Sequence, residues 1–499
     1  MSNLSLNLTG SANRFADRVA IRSDEYELTY AGLDDASAAM AGMLRDRGLA
    51  VGDRVAIMLP NVPAFAILYY AVLRAGGVAV PMNPMLKSRE VEFYLADSGA
   101  RLIFTTAATA DEVAVGAAAT DAEVVTVSGD ASELFAGRDP VAEVVERAGD
   151  DTAVILYTSG TTGPPKGAEL THENLARNAA VTAETLIHLG PDDVVMGCLP
   201  LFHVFGQTCG LNAAVAKASA LTLIARFDPR TALEVIERDR VTVFEGVPTM
   251  YGAMLHLPGR GDHDTSSLRT CISGGSALPV EILHSFEEAF GTILLEGYGL
   301  SETSPVASFN HPGLERKAGS IGTPVRGVQM RLVDDDGVEV QSGQPGEIAV
   351  RGHNVMKGYW GRPQETADSM KAGWFVTGDI ATVDDDGYYR IVDRKKDVII
   401  RGGLNIYPRE VEEVLFEHPA VAEAAVVAMP HESMGEEVGA AVALKPGSSA
   451  TPQELQDFVR TRLAAYKYPR RVWIVDTLPK GPTGKILRRS VKPPTDVDR

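Results

Sequence analysis

The sequence predicts an α/β fold. It consists of a large N-terminal domain of two α/β subdomains plus a β-rich subdomain, followed by a small α+β C-terminal domain. Three observations carry this. Strand-like runs alternate with helical stretches through the first three hundred residues, as largely parallel sheets require. From about 319 the texture changes to short alternating strands about Asp-Gly turns. After "DRKKDVIIRGG" a second helix–strand alternation begins. At 499 residues the chain is too long for one ordinary domain.

In order along the chain, "DRVAIML" (53–59) reads as a strand and "AFAILYYAVL" (64–73) as a core helix. "GGVAVPMNP", "RLIFTT", "VVTV", "AVILYTSG", "ALTLIARF" and "VTVFEGVP" read as further buried strands. "VQMRLVDDDGVEV" and "IATVDDDGYYRIVD" are hairpin signals within a β-rich subdomain spanning about 319–395. Their Asp triplets lack the spacing of a calcium loop and read as solvated turns. "YPREVEEVLFEHP" is an amphipathic helix, and "TPQELQDF" opens with a Thr-Pro-x-Glu helix start. We divide the chain into an N-terminal domain at 1–395 and a C-terminal domain at 396–499.

Composition excludes several functions. Lys+Arg is 47 and Asp+Glu is 66, a net charge of −19, which disfavours general nucleic-acid binding. Cys198, Cys209 and Cys271 have no metal-ligand spacing, and their odd number leaves at least one unpaired within the chain. Buried free thiols in a reducing cytoplasm are the expectation. The N-terminus has no basic run followed by a long apolar one, so no signal peptide is read. The longest apolar run is half a membrane span. Between Arg460 and Lys492 there are ten Lys/Arg and one acid, Asp476. That predicts either a solvated face or a surface for anions, including peripheral contact with an anionic membrane.

The chemistry starts from "YTSGTTGPPKG" (157–167). Its hydroxyls, glycines and single lysine suit a donor-rich loop around a phosphate chain. It is not a Walker loop, because Pro165 stands where the second glycine must be. "PTGK", ending at Lys485, fails too, with Pro479 in place of the first glycine. Further along come "PLFH" (200–203), "GYGLSE" (297–302), "TGD" (377–379), "DRKKDVIIRGGLNIYP" (393–408) and "PTGK" (482–485).

In that order, and over nearly the whole chain, these motifs resemble those of the adenylate-forming superfamily of acyl-CoA synthetases, adenylation domains and luciferases. The resemblance implies an AMP-forming acid–thiol ligase using ATP, Mg²⁺ and coenzyme A, with a C-terminal domain that swings between two half-reactions. Carried onto this chain, Thr158, Ser159, Gly160, Thr161, Thr162 and Lys166 would cradle the β- and γ-phosphates. Glu302 would ligate Mg²⁺ and Ser301 would contact a phosphate oxygen. Gly275, Ser276, Ala277, Glu296, Gly297 and Tyr298 would line the adenine pocket. Asp379 would accept the ribose hydroxyls, with Arg394 beside it. Lys485 would bridge the acyl carboxylate and the α-phosphate, and His203 would stand beside the acyl carbonyl. Lys396 would be the hinge, and Gly402 and Gly403 would border the pantetheine arm. Plant-type aryl-CoA ligases carry lysines where this chain has Ile400 and Gly402, so phosphate contacts there are not implied.

For the acid, "FEGVPTMY" (244–251) resembles malonyl-CoA synthetases. Gly297, however, replaces the arginine that would pair a second carboxylate. "EGYGLSETSP" resembles fatty acyl-CoA ligases, and glycines 206, 210, 246, 274, 275, 297 and 299 are expected to leave room for an extended tail. A medium- or long-chain fatty acid is therefore the first expectation. An aryl-CoA ligase or a carrier-protein-loading enzyme is the alternative.

Overall fold

The computed structural model describes residues 3–24, 26–141, 143–158 and 164–494. Four sheets organise the chain. The first runs Thr323–Pro324, Val306–Phe309, Ile293–Gly299, Thr270–Ser273, Val243–Gly246, Val194–Gly197, Ala220–Leu223, Val19–Arg22, Glu27–Thr29. Its interior pairs are parallel, and antiparallel strands close both edges. The second runs Gly358–Tyr359, Lys166–Thr171, Thr152–Thr158, Val78–Pro81, Arg54–Met58, Leu102–Thr105, Glu123–Thr126.

The helix Pro63–Arg74 joins these two sheets. Proline at its first turn suits the missing N–H, and all its residues are buried. A helix apolar on every face needs packing on every face. Just before it, the Asn61 amide donates to the carbonyls of Gly197 (3.0 Å) and Leu199 (2.8 Å) in the other sheet. At its end the Arg74 guanidinium is buried but satisfied by Asp34 at 2.7 Å and Thr9 at 3.1 Å.

The third, antiparallel sheet holds Val328–Val333, Gly346–Gly352, Trp374–Val383 and Tyr389–Arg394, as the Asp-Gly hairpin signals predict. The Asp triplets are turns: the Asp334 and Asp384 carboxylates accept backbone N–H groups, and Asp384 also pairs with Lys317 at 2.8 Å. The fourth sheet, from Ile399 to Val475, carries the helices Pro408–Phe416 and Pro452–Arg460. The second of these opens in a reciprocal cap between Thr451 and Glu454. The molecule is thus a mixed α/β N-terminal domain with a β half-barrel and a small C-terminal domain. No helix among the described residues is long and apolar enough to cross a membrane.

Candidate active site

Parallel strands aim their carboxyl ends at one crevice, where open α/β sheets bind ligands. Here the strands ending at Gly197, Gly246, Ser273 and Gly299 deliver the segments 200–203, 247–249, 274–277 and 300–302. The third sheet adds Asp379. Tyr298 donates its hydroxyl to Asp379 Oδ2 at 2.7 Å, and Arg394 Nε lies 3.1 Å from Oδ1. Both carboxylate oxygens are therefore fixed, in a side chain only 7% exposed.

Lys485 reaches the same crevice from the far end of the chain. Gly484 accepts a hydrogen bond from Thr249 Oγ1 at 2.9 Å. Its φ of +81° is a left-handed value that suits glycine, and a Cβ there would meet Thr249 and Val247 at 3.1 Å. Burial, and then the Arg394 charge, push the Lys485 ammonium down to about 8, against the pull of Asp379. Burial, and then Lys485 itself, hold His203 at about 4. The imidazole is thus neutral, and its Nδ1 accepts the Phe205 N–H at 3.3 Å. A cation and a neutral donor side by side suit an incoming carboxylate.

Glu302 follows the strand Ile293–Gly299 on a short 3₁₀ turn. Its Oε1 accepts from the Tyr359 hydroxyl at 2.9 Å, and burial raises its carboxyl. Lys166 Nζ lies 5.2 Å from the centre of the Tyr359 ring. The hairpin pairing Thr158 with Lys166 therefore opens beside Glu302. Ser159, Gly160, Thr161 and Thr162 lie outside the described residues. No group of three or more metal-ligating side chains exists among the described residues. A single carboxylate is the kind of protein ligand that Mg²⁺ takes when waters and substrate phosphates complete its shell.

Glu296 differs from expectation. Its Oε1 accepts the Leu278 N–H at 3.0 Å, which braces the 275–277 loop from behind, while Oε2 is buried without a hydrogen-bond partner in the described structure. Burial pushes the carboxyl up to about 7. Gly275 sits at φ +78° in the braced loop, with Ser276 and Ala277 half-buried behind it.

The glycines expected to leave tail space mostly do not. A Cβ on Gly297 would stand 2.2 Å from the Phe309 ring, and one on Gly274 2.9 Å from Phe205. Gly206 and Gly299 face backbone at 2.6 and 1.9 Å, and Gly246 faces Phe244 and Tyr251. Their missing side chains admit protein atoms, because strand pairing brings Phe309 opposite Gly297. Gly297→Ala should therefore lower stability by about 1–3 kcal/mol through overpacking. Thermal unfolding checks this, and an unchanged midpoint would contradict it.

Several partners escaped the sequence reading. Arg488 donates to Glu412 at 2.9 and 2.5 Å and to Asp393 at 2.8 Å. Asp393 also accepts the Arg409 N–H at 2.9 Å. These bonds tie the C-terminal segment to the strand Tyr389–Arg394. Arg488 lies just past the last quoted motif and Tyr359 lies between two of them, and only their contacts reveal them. Lys396 is exposed in the turn closed by Asp397 N–H to the Arg394 carbonyl at 2.9 Å. Gly402 and Gly403 form an exposed hairpin tip with φ of +57° and +84°, and Gly402 bonds to Met434 within the C-terminal sheet. Among the described residues, that hairpin makes no hydrogen bond to the crevice residues.

The basic segment 460–492 is partly paired with acids. Arg460, Arg462, Lys467, Lys480 and Arg488 pair with Asp457, Glu417, Glu410, Glu423 and Glu412. Folding brings all of these acids but Asp457 from elsewhere in the sequence, so the segment presents less unpaired positive charge than the run alone implied.

The fold and crevice define a nucleotide-dependent carboxylate-activating enzyme. The chain matches the AMP-binding enzyme family over residues 8–360 and the AMP-binding enzyme C-terminal domain over 410–485. It belongs to that family and is an ATP-dependent, AMP-forming acid–thiol (CoA) ligase. It is 39% identical to a long-chain-fatty-acid–CoA ligase of Bacillus subtilis, over 97% of this chain and 92% of the relative. It is 41% identical to a feruloyl-CoA synthase of an Amycolatopsis species, over 95% of each. Among solved structures, ATP-bound MatB from Rhodopseudomonas palustris superposes with a TM-score of 0.92 at 33% identity, covering 98% of this chain and 97% of that one. A benzoate CoA ligase from Burkholderia xenovorans gives 0.91 at 30%, covering 98% and 99%.

Proposed function

We propose that the protein activates a monocarboxylic acid with an apolar body, a medium- or long-chain fatty acid first among them, and transfers it to coenzyme A. The observation that carries this reading is the convergence of Lys485, His203 and the Asp379–Arg394 pair in one crevice. The Lys485 ammonium draws the acid carboxylate and the α-phosphate together and offsets their mutual repulsion. A carboxylate oxygen attacks the α-phosphorus, the bond to the β-phosphate breaks, and pyrophosphate leaves. His203, neutral at working pH, donates from Nε2 toward the acyl oxygen. Asp379 takes the ribose hydroxyls, with its geometry fixed by Tyr298 and Arg394. Glu302 would hold Mg²⁺, which would supply positive charge to the phosphates. In the second half the CoA sulfur, losing its proton, attacks the acyl carbon and AMP departs.

Apolar Phe309 against Gly297 supports an acid without a second charge near the adenylate, since a charge buried there would be unpaired. An aryl acid is the second reading, supported by the feruloyl relative. The three cysteines are buried and free, which suits the cytoplasm. Pyrophosphate release and thioester formation, measured with fatty acids of graded length, ferulate, benzoate and malonate, test the reading. Fatty acids should lead and malonate should be poor. Efficient malonate turnover with inert fatty acids would overturn it, and transfer to a phosphopantetheinylated carrier but not to free CoA would replace the acceptor.

A further inference from the structure

The mechanism leaves one buried acid unused. Glu245 lies on the central strand Val243–Gly246 and is 1% exposed. Its Oε1 is buried with no hydrogen-bond partner in the described structure. An unpaired buried carboxyl is costly and rare, so it demands an explanation. Burial drives the carboxyl well above its ordinary value and so favours its neutral form.

Its neighbours locate it. The strand runs on into Val247 and Thr249, which touch Gly484 beside Lys485. Glu245 therefore sits roughly 7 Å deeper than Val247, at ~3.3 Å per residue. From the other side, the π-helix Gly206–Asn212 starts just past His203 and lays Gly210 over the acid. Gly210 follows His203 by seven residues, within about two helical turns. Gly210 is unlike its fellow glycines: a Cβ there would meet Glu245 Oε2 at 3.3 Å, and otherwise only Leu221 at 3.9 Å. The Cys209 thiol lies near both Glu245 and Thr182. The hydroxyl of Thr208, on the same π-helix, is likewise buried without a hydrogen-bond partner in the described structure. Buried polar atoms thus gather along the strand and the π-helix whose other ends carry the crevice residues Val247, Thr249 and His203. π-turns of this kind recur at functional sites.

We propose that Glu245 is a specificity-determining residue that takes a neutral hydroxyl on the body of the acid substrate, one acid-length inward from Lys485. The inference rests on the CoA-ligase reading and narrows its substrate to a hydroxylated carboxylic acid. A protonated carboxyl can accept from that hydroxyl and donate to it. A cationic group is not favoured, because burial favours the neutral acid. The distance fits a phenol para to an acrylic side chain or the terminal hydroxyl of a medium-length hydroxy acid.

The test compares p-coumarate with cinnamate and 8-hydroxyoctanoate with octanoate, by pyrophosphate release, in the wild-type protein and in Glu245→Leu. Wild type should favour the hydroxylated member of at least one pair by about 10- to 100-fold in kcat/KM, since the deoxy acid leaves the site unpaired. The pair that responds identifies the source of the hydroxyl. Glu245→Leu should erase that preference mainly through KM, while Glu245→Gln, which still accepts and donates, should retain part of it. Leu also removes an unpaired buried acid, so its thermal midpoint should not fall. A wild-type enzyme active on all four acids without preference, or an unchanged preference in Glu245→Leu, would overturn the assignment. A wild type that activates no acid at all would instead overturn the CoA-ligase reading.

Discussion

Lys485→Ala should lower acyl-AMP formation by about 10²–10³-fold, the usual loss when a charge-stabilising donor is removed from a transition state. It should still convert supplied acyl-AMP and CoA into thioester. The reason is positional. Lys485 enters the crevice only because Gly484 docks on Thr249 and Arg488 ties the segment to Asp393 and Glu412. In the proposed mechanism its charge acts while two anions approach, and that task ends once the adenylate exists. The charge also sets a pH dependence. With the ammonium pushed down to about 8, raising pH through that value removes the positive form from the free enzyme. The kcat/KM for adenylation should therefore fall above about 8 in the wild type, and this step should be absent in Lys485→Ala. In kcat the break should lie higher, because bound carboxylate and phosphate favour the ammonium. Quenched single turnovers of each half-reaction decide the matter. Equal loss of both halves in folded protein would refute the division of labour.

Lys396→Pro should produce the opposite imbalance. Arg394 is anchored to Asp379, and from Ile399 the chain is in the C-terminal sheet, so residues 395–398 link the two. Gly402 and Gly403, proposed to border the CoA path, lie on an exposed hairpin tip in the arrangement observed. Reaching the adenylate requires the link to change its backbone angles. Proline fixes φ near −65° and restricts the residue before it. Acyl-AMP should form and accumulate, while transfer to CoA slows by about tenfold or more, as for other locked hinges. Accumulation is read by trapping the adenylate in the presence of CoA. Transfer at the wild-type rate would remove Lys396 from the hinge.

The sequence alone determined the architecture and the class of chemistry. Alternation of apolar runs with helical stretches specifies parallel sheets because a strand buried on both faces needs continuous apolar residues. Asp-Gly pairs between short strands specify hairpins because few residues tolerate the turn. Asp379, Glu302, His203 and Lys485, the proposed site residues, could be singled out because each sits in a short motif whose spacing is local. Tertiary structure decided what depends on residues distant in sequence. The glycines that suggested an open tail channel are packed against Phe309, Phe205 and backbone, since strand register sets what faces a missing side chain. The basic run at 460–492 is partly paired with acids from other elements. Arg488 acquires meaning only beside Asp393 and Glu412. Glu245 looks like one more strand residue until burial removes its solvent without supplying a partner. Local spacing fixes which groups a loop carries, whereas desolvation and pairing are properties of the assembled fold.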